Sequence, residues 1–261
     1  MNWLATSASA SYMPIMSLYR LPWLPVLLLA LVVQSCETVV LPANDAQATP
    51  YFPLEEGREW VYALDTIHYR ETAENDTARW FLREVIGTPY QDLTNQTAYP
   101  IERWRRSDTT LPWRYFATGT AAWRDGQLQW SNNNLRVLRL VSPATAGVTW
   151  NGHIPLADLS VIPTQEECNN WSFLANWMYT YSSVGSFALE STVFDSVITV
   201  EQAGEQNLIE FNDGEARFAA GVGLIERSFR HLTTQDICPE CPWEEKVSCG
   251  FAVTQRLLVW Q

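Results

Sequence analysis

From Tyr51 onward, apolar and polar positions alternate in short runs, and no window sustains a helical period over four turns. A period of two marks half-buried strands. Two stretches can be read in register. In TAAWRDGQLQWS, residues 120–131, Asp125-Gly126 signals a two-residue turn, because both central positions need φ > 0. Such a turn pairs Arg124 with Gln127, Trp123 with Leu128, Ala122 with Gln129 and Ala121 with Trp130. Trp123, Leu128, Ala121 and Trp130 then share one apolar face. In LIEFNDGEARFA, residues 208–219, Asp213-Gly214 gives the same signal. It pairs Asn212 with Glu215, Phe211 with Ala216, Glu210 with Arg217 and Ile209 with Phe218, with a Glu210–Arg217 ion pair on the polar face. Further strands are expected near Glu59–Tyr69, Ala78–Ile86, Pro100–Arg106, Leu135–Val141, Val193–Glu201, Leu224–Thr233 and Phe251–Trp260. The one helical candidate is Pro163–Tyr179. The pattern predicts an all-β fold: an antiparallel sandwich or a curled, partly closed barrel of ten to eleven strands, with at most one short helix.

Ahead of the strands the pattern changes. Residues 21–33, LPWLPVLLLALVV, are continuously apolar. The run is shorter than the ~20 residues of a membrane-spanning helix but suits the apolar region of a signal peptide, with Arg20 in front of it. Met16 is a more natural start than Met1 for such a peptide. The run ends in Val33-Gln34-Ser35-Cys36, an aliphatic residue, a small residue and then cysteine, which resembles a bacterial lipobox. That chemistry needs a thiol: diacylglycerol joins the Cys36 sulfur and the peptidase cuts before it. The expected organisation is a signal peptide at 1–35, a flexible tether at 36–50 and one β domain at 51–261. Glu37 is not the aspartate that holds enteric lipoproteins at the inner membrane, so an outer-membrane location is expected.

Composition narrows the function. The chain has 261 residues, a net charge of −12 and a single lysine, Lys246, beside sixteen arginines. An acidic chain without a basic stripe is a poor nucleic-acid binder. The densest basic cluster, Arg103, Arg105 and Arg106, reads as a solvated strand end. His68, His153 and His231 stand apart, so no metal site is expected, and no nucleophile–base motif is present. No catalytic residue or cofactor is assigned. Glu55-Glu56, Glu166-Glu167 and Glu244-Glu245 read as solvated surface.

Four cysteines follow Cys36: Cys168, Cys238, Cys241 and Cys249. An even number in an exported domain points to two disulfides. If the strands flanking CPECPWEEKVSC form a hairpin, Cys238 and Cys249 face each other, leaving Cys241 for Cys168. Cys238–Cys241 with Cys168–Cys249 is the main rival, and Cys168–Cys238 with Cys241–Cys249 is a third pairing.

The motif Tyr51-Phe52-Pro53-Leu54, then Gly57, Trp60 and Tyr62, follows the tether directly. Later come Gly147-Val148-Thr149-Trp150-Asn151-Gly152 and Ala220-Gly221-Val222-Gly223-Leu224-Ile225. This order resembles a group of uncharacterised lipoproteins of the Bacteroidota type. The resemblance implies an envelope lipoprotein with an antiparallel β domain, and no activity. Within the motifs, Gly221 and Gly223 around Val222 suggest a bulge or a close backbone approach. Four of the ten aspartates begin triplets resembling an O-glycosylation signal on exported proteins of the same bacterial group, with Thr66, Thr77, Thr109 and Ser196 as candidates.

Three functions are therefore compared. A non-catalytic binding or scaffolding domain ranks first, with a glycan, a lipid or an envelope protein as partner beside the membrane itself. A carrier of a lipid or another apolar ligand ranks second. A glycan-acting enzyme ranks last.

Overall fold

The computed structural model describes residues 47–71, 74–132, 135–152 and 178–261. It is one antiparallel sheet that curls until its two edges meet. The strands are β1 (Glu59–Tyr69), β2 (Asp76–Ile86), β3 (Tyr90–Gln91), β4 (Thr97–Arg106), β5 (Arg114–Arg124), β6 (Gln127–Asn132) and β7 (Leu135–Val141). They continue as β8 (Thr149–Asn151), β9 (Met178–Leu189), β10 (Thr192–Gln206), β11 (Glu210–Ala219), β12 (Gly223–Thr233) and β13 (Cys249–Trp260). The order across the sheet is β7-β6-β5-β4-β2-β1-β13-β12-β11-β10-β9-β8, with β3 paired to β4. Consecutive strands are neighbours nearly throughout, as short hairpin connections require. The departures are β2, which pairs with β4 past the two-residue β3, β7 and β8, which stand at opposite ends of the order, and the mid-sheet pairing of β1 with β13. Thirteen strands exceed the expected ten to eleven, and the curled alternative is realised over the sandwich. Helix α1 (Trp243–Lys246) is the one α-helix among the described residues.

The Asp125-Gly126 hairpin has the register read from sequence: Arg124 opposite Gln127, Trp123 opposite Leu128, Ala122 opposite Gln129, Ala121 opposite Trp130. Both turn residues have positive φ, 49° and 75°. The second hairpin does not exist. β11 runs straight through Asp213-Gly214, and Ile209 is exposed. Gly214 lies opposite Phe229, and a Cβ there would come within 2.9 Å of the Phe229 ring. The glycine answers a packing need across the sheet, not a turn. The expected Glu210–Arg217 pair is replaced accordingly, and Arg217 binds Glu226 at 2.5 Å. Of the helical candidate Pro163–Tyr179, residues 163–177 lie outside those described, and Met178 and Tyr179 open strand β9.

A curled sheet has two unpaired edges, and these must be satisfied or covered. Here β7 meets the β8–β9 edge. The Leu138 amide donates to the Gly152 carbonyl at 2.7 Å, and the Trp150 indole N–H donates to the Leu138 carbonyl at 3.0 Å. The buried Tyr181 hydroxyl lies against Val141: it accepts from the Val141 amide at 2.8 Å and donates to the Val141 carbonyl at 2.7 Å. One phenol thus replaces a rung of the ladder.

One end of the barrel is plugged by the segment that precedes β1. Ala48, within the stretch read as tether, is fully buried, and Phe52 is 1% exposed. The Phe52 ring lies 5.3 Å from Trp60, 5.5 Å from Trp130 and 6.4 Å from Phe218, centroid to centroid. The Phe52 carbonyl accepts from the Trp123 indole at 2.9 Å, and the Pro50 carbonyl accepts from the Gly221 amide at 2.8 Å. Trp60 donates to the Val222 carbonyl at 2.6 Å. Gly223, at φ +111°, lets the chain pass the Trp60 indole, where a Cβ would come within 3.2 Å. Close backbone approach, one of the two readings of the Gly221–Gly223 pair, therefore has a specific cause.

Two unfolding measurements check this construction. Phe52→Ala should lose ~3–5 kcal/mol in urea, because the plug leaves a cavity when its largest ring is removed. Tyr181→Phe should lose ~1–3 kcal/mol, because two buried backbone groups lose their partner. Values near zero would mean that neither plug nor seam holds the barrel.

Candidate binding site

The inner wall sets charged side chains among its apolar ones, next to the plug. In β2 the buried face reads Leu82-x-Glu84-x-Ile86, and Glu84 is 3% exposed. Cross-strand from it, Arg103 of β4 donates through Nε to the carboxylate at 2.8 Å. In β12 the face reads Ile225-x-Arg227-x-Phe229. Arg227 lies between Ala216 and Gln255, both buried, and donates through Nε to Gln202 at 3.2 Å.

Two β-bulges shape this wall. In β7, Leu140 pairs with Leu128 and Leu138 with Gln129, so Arg139 is the residue left over. In β10 the register skips Gln202 between Glu201 and Ala203. A bulge frees one residue from the ladder and re-aims its side chain. Arg139 lies over the buried Trp130 ring, 4.0 Å from its centroid. Gln202, 4% exposed, reaches Arg227.

Arg139 and Arg227 are each half-buried, Arg139 against the buried Trp130 ring and Arg227 between the buried Ala216 and Gln255. Burial pulls Arg139 down to about 10, with Arg227 and Arg103 adding repulsion and Glu84 and Tyr179 opposing it. Arg227 is lowered for the same first cause. Tyr62, wholly buried, is raised well above the ordinary phenol value by burial and then by Glu84. Its hydroxyl has no hydrogen-bond partner. Nearer the strand ends of the same wall, the Arg105 guanidinium lies 4.9 Å from the Trp80 ring centroid and 5.4 Å from that of Phe116.

The basic cluster read as a solvated strand end thus divides between two faces. Arg103 is ion-paired inside, with its side chain 12% exposed. Arg106 stacks at 4.2 Å on Trp113, on the outer face that also stacks Arg83 on Trp104 at 5.1 Å. These guanidiniums occupy aromatic faces that a sugar ring would otherwise use. A shallow cleft of ≈ 290 Å³ lies over β9–β11, lined by Ser182, Ser183, Ser186, Phe187 and Arg217 among others. Among the described residues, Glu84 is the carboxylate that acts on Tyr62, Arg139 and Arg227. Among the described residues no group of three or more His, Cys, Asp or Glu is placed to hold a metal, and no helix is long and apolar enough to cross a membrane.

The assigned positions fall as follows. Cys36, Cys168 and His153 lie outside the described residues. Cys238 is bonded to Cys241, which corrects the Cys238–Cys249 pairing and realises the bridge of its main rival. The reason is the length of β12, which ends at Thr233, so Cys249 faces Thr233 while Cys238 stands beyond the ladder. Cys249 is disulfide-bonded as well, and its pairing lies outside the described residues. Thr77 and Thr109 are exposed, whereas Thr66 is half-buried and donates to the Ala78 carbonyl at 3.3 Å. Ser196 shares a 3.0 Å hydrogen bond with the Tyr51 hydroxyl. His68 is exposed. His231 is buried, with Nδ1 donating to Asn212 Oδ1 at 2.6 Å.

Comparison with known proteins adds little. No family model matches the chain, and no curated protein matches it. Among solved structures, a "putative lipoprotein" from Parabacteroides distasonis is similar at 10% identity and a TM-score of 0.33, over 81% of this chain and 98% of that one. A likeness at that level bears no weight for fold or function here.

Two measurements test the bridge and the buried histidine. Non-reducing peptide mapping should find Cys238 and Cys241 joined within one peptide, and the Cys249 peptide joined to that of Cys168; a Cys238–Cys249 link would contradict the structure. The second concerns pH. Burial lowers the His231 pKa from its ordinary 6.5. The unfolded chain therefore takes up this proton first, and stability falls as pH drops through 6.5 toward the folded value. His231→Gln should flatten the pH dependence of the melting temperature between about 7 and 5. An unchanged slope would show that His231 does not carry it.

Proposed function

We propose that this chain is an envelope lipoprotein, held in a membrane by diacylglycerol on Cys36, whose barrel is a non-catalytic binding domain with its site on the inner wall. The observation behind the binding site is the set of polar groups that the fold itself leaves unused: Arg139 and Tyr62 lie inside the curl without hydrogen-bond partners among the described residues. Buried polar groups are ordinarily satisfied, and unsatisfied ones collect at sites of function. Scaffolding alone would not need them, and a carrier of a purely apolar ligand would not tolerate them. Catalysis has no visible pair of acid and base in the cluster. For the anchor, the lipobox-like Val33-Gln34-Ser35-Cys36 is the supporting feature, and the outer membrane is the proposed destination. Each buried CH₂ of an acyl chain contributes ~0.8 kcal/mol, so two or three chains fix a protein to a bilayer.

Both halves are open to test. Cys36→Ala should move the protein from the membrane to the soluble fraction, and mass spectrometry of the wild type should show acyl chains. A variant that stays with membranes, beside an unlipidated wild type, would remove the anchor from this reading. For the binding domain, native mass spectrometry of the mature chain from its own envelope should show a stoichiometric non-covalent mass that acid releases. A bare chain would end the binding reading.

A further inference from the structure

The unused groups on the inner wall share one property: all are hydrogen-bond donors. The Arg139 guanidinium touches the Trp130 ring and makes no hydrogen bond or ion pair among the described residues. Arg227 spends Nε on Gln202 and keeps its two terminal nitrogens unbonded among them. The Tyr62 hydroxyl is buried with no partner. Glu84, the carboxylate among the described residues that acts on these groups, already accepts from Arg103. Among the described residues this wall carries three guanidiniums, Arg103, Arg139 and Arg227, against the Glu84 carboxylate, a surplus of two positive charges.

A missing partner for donors must be an acceptor, and for cationic donors an anionic one. Resting on the binding-domain reading above, the geometry points to an oxyanion, a carboxylate or a phosphate, as the ligand group that Arg139, Arg227 and Tyr62 hold inside the barrel. Trp130 supports the Arg139 guanidinium from one side, and Gln202 holds Arg227 through Nε, leaving its terminal nitrogens to the ligand. Arg139 and Gln202 are each the extra residue of a β-bulge, which re-aims the side chain. Along the same wall, Arg105 between Trp80 and Phe116 offers a second cation flanked by rings, suited to an anion that carries an apolar body. A metal cation would meet repulsion here, and an uncharged sugar would leave the surplus charge unanswered.

The oxyanion can belong to a lipid headgroup or be free, and one titration series separates these sources. The mature chain is titrated with inorganic phosphate, dodecyl phosphate and dodecanol, read by tryptophan fluorescence and calorimetry. At least one phosphate-bearing probe should bind with one site per chain, and Arg139→Gln should weaken it roughly tenfold or more. Tyr62→Phe should weaken binding while the ligand-free protein melts at the same or a higher temperature. Should Arg139→Gln not fold, Arg227→Gln and Tyr62→Phe carry the comparison. Tight binding of dodecyl phosphate alone assigns a headgroup, and equal binding of both phosphates assigns a free oxyanion. Dodecanol binding as tightly as dodecyl phosphate, unchanged by Arg139→Gln, overturns the anion assignment and leaves a binding domain for a neutral ligand. Binding of none of the three also overturns it, while the binding domain itself stands or falls on the native mass measurement.

Discussion

Closing one sheet upon itself is the constraint on which the rest of this structure depends. A flat sheet of this width would expose two long edges and a broad apolar face. Curling hides the face but brings the edges together out of step, because β8 has three residues and β7 has seven. The mismatch is absorbed by side chains. Tyr181 and Trp150 supply the donors and acceptor that a regular strand would have supplied, beside the one direct amide bond from Leu138 to Gly152. Because the closure is made by buried aromatics, the interior at that level has to be tightly packed, and Phe52 enters from the preceding segment to complete it.

Charged side chains adjoin that packed zone, and they change its energetics. An unpaired buried hydroxyl costs ~1–3 kcal/mol, and an enclosed guanidinium without a counter-charge costs several. The Arg103–Glu84 pair offsets part of this. Stacking on Trp130 offsets a little more, since a desolvated cation over an indole gains ~2 kcal/mol. The remainder is tolerated because the charged side chains adjoin the apolar plug and seam: Arg139 stacks on the Trp130 ring that Phe52 packs against, and Glu84 lies cross-strand from Trp60.

Much of this was legible. Strands β1 and β7 have the limits that alternation gives, and the Asp125-Gly126 turn has its register to the residue. Local sequence decides such cases because turn and faces agree. Asp213-Gly214 carries the same signal with the opposite outcome, since the deciding contact is Phe229, fifteen positions away and on another strand. The interior site was visible only faintly. Leu82-x-Glu84-x-Ile86 and Ile225-x-Arg227-x-Phe229 each set one charge into an apolar period-two face, and that interruption is a usable signal. Arg139 carries no such mark, because the bulge that re-aims it depends on pairing between β6 and β7. β9 was missed in part because its serines and glycine, Ser182, Ser183, Gly185 and Ser186, dilute the alternation.

The pairing of β1 with β13 has a consequence for how the chain comes into being. The first strand made is hydrogen-bonded to the last, and Glu59 and Gln261 exchange backbone bonds at 3.0 and 3.1 Å. The plug is similarly divided, since Pro50 waits for Gly221 and Trp60 for Val222. No fragment that lacks β13 can hold the finished sheet, so the growing chain stays uncommitted until β13 is available. Contacts so distant in sequence make folding slow but also late. A polypeptide of this topology remains threadable for as long as it is incomplete.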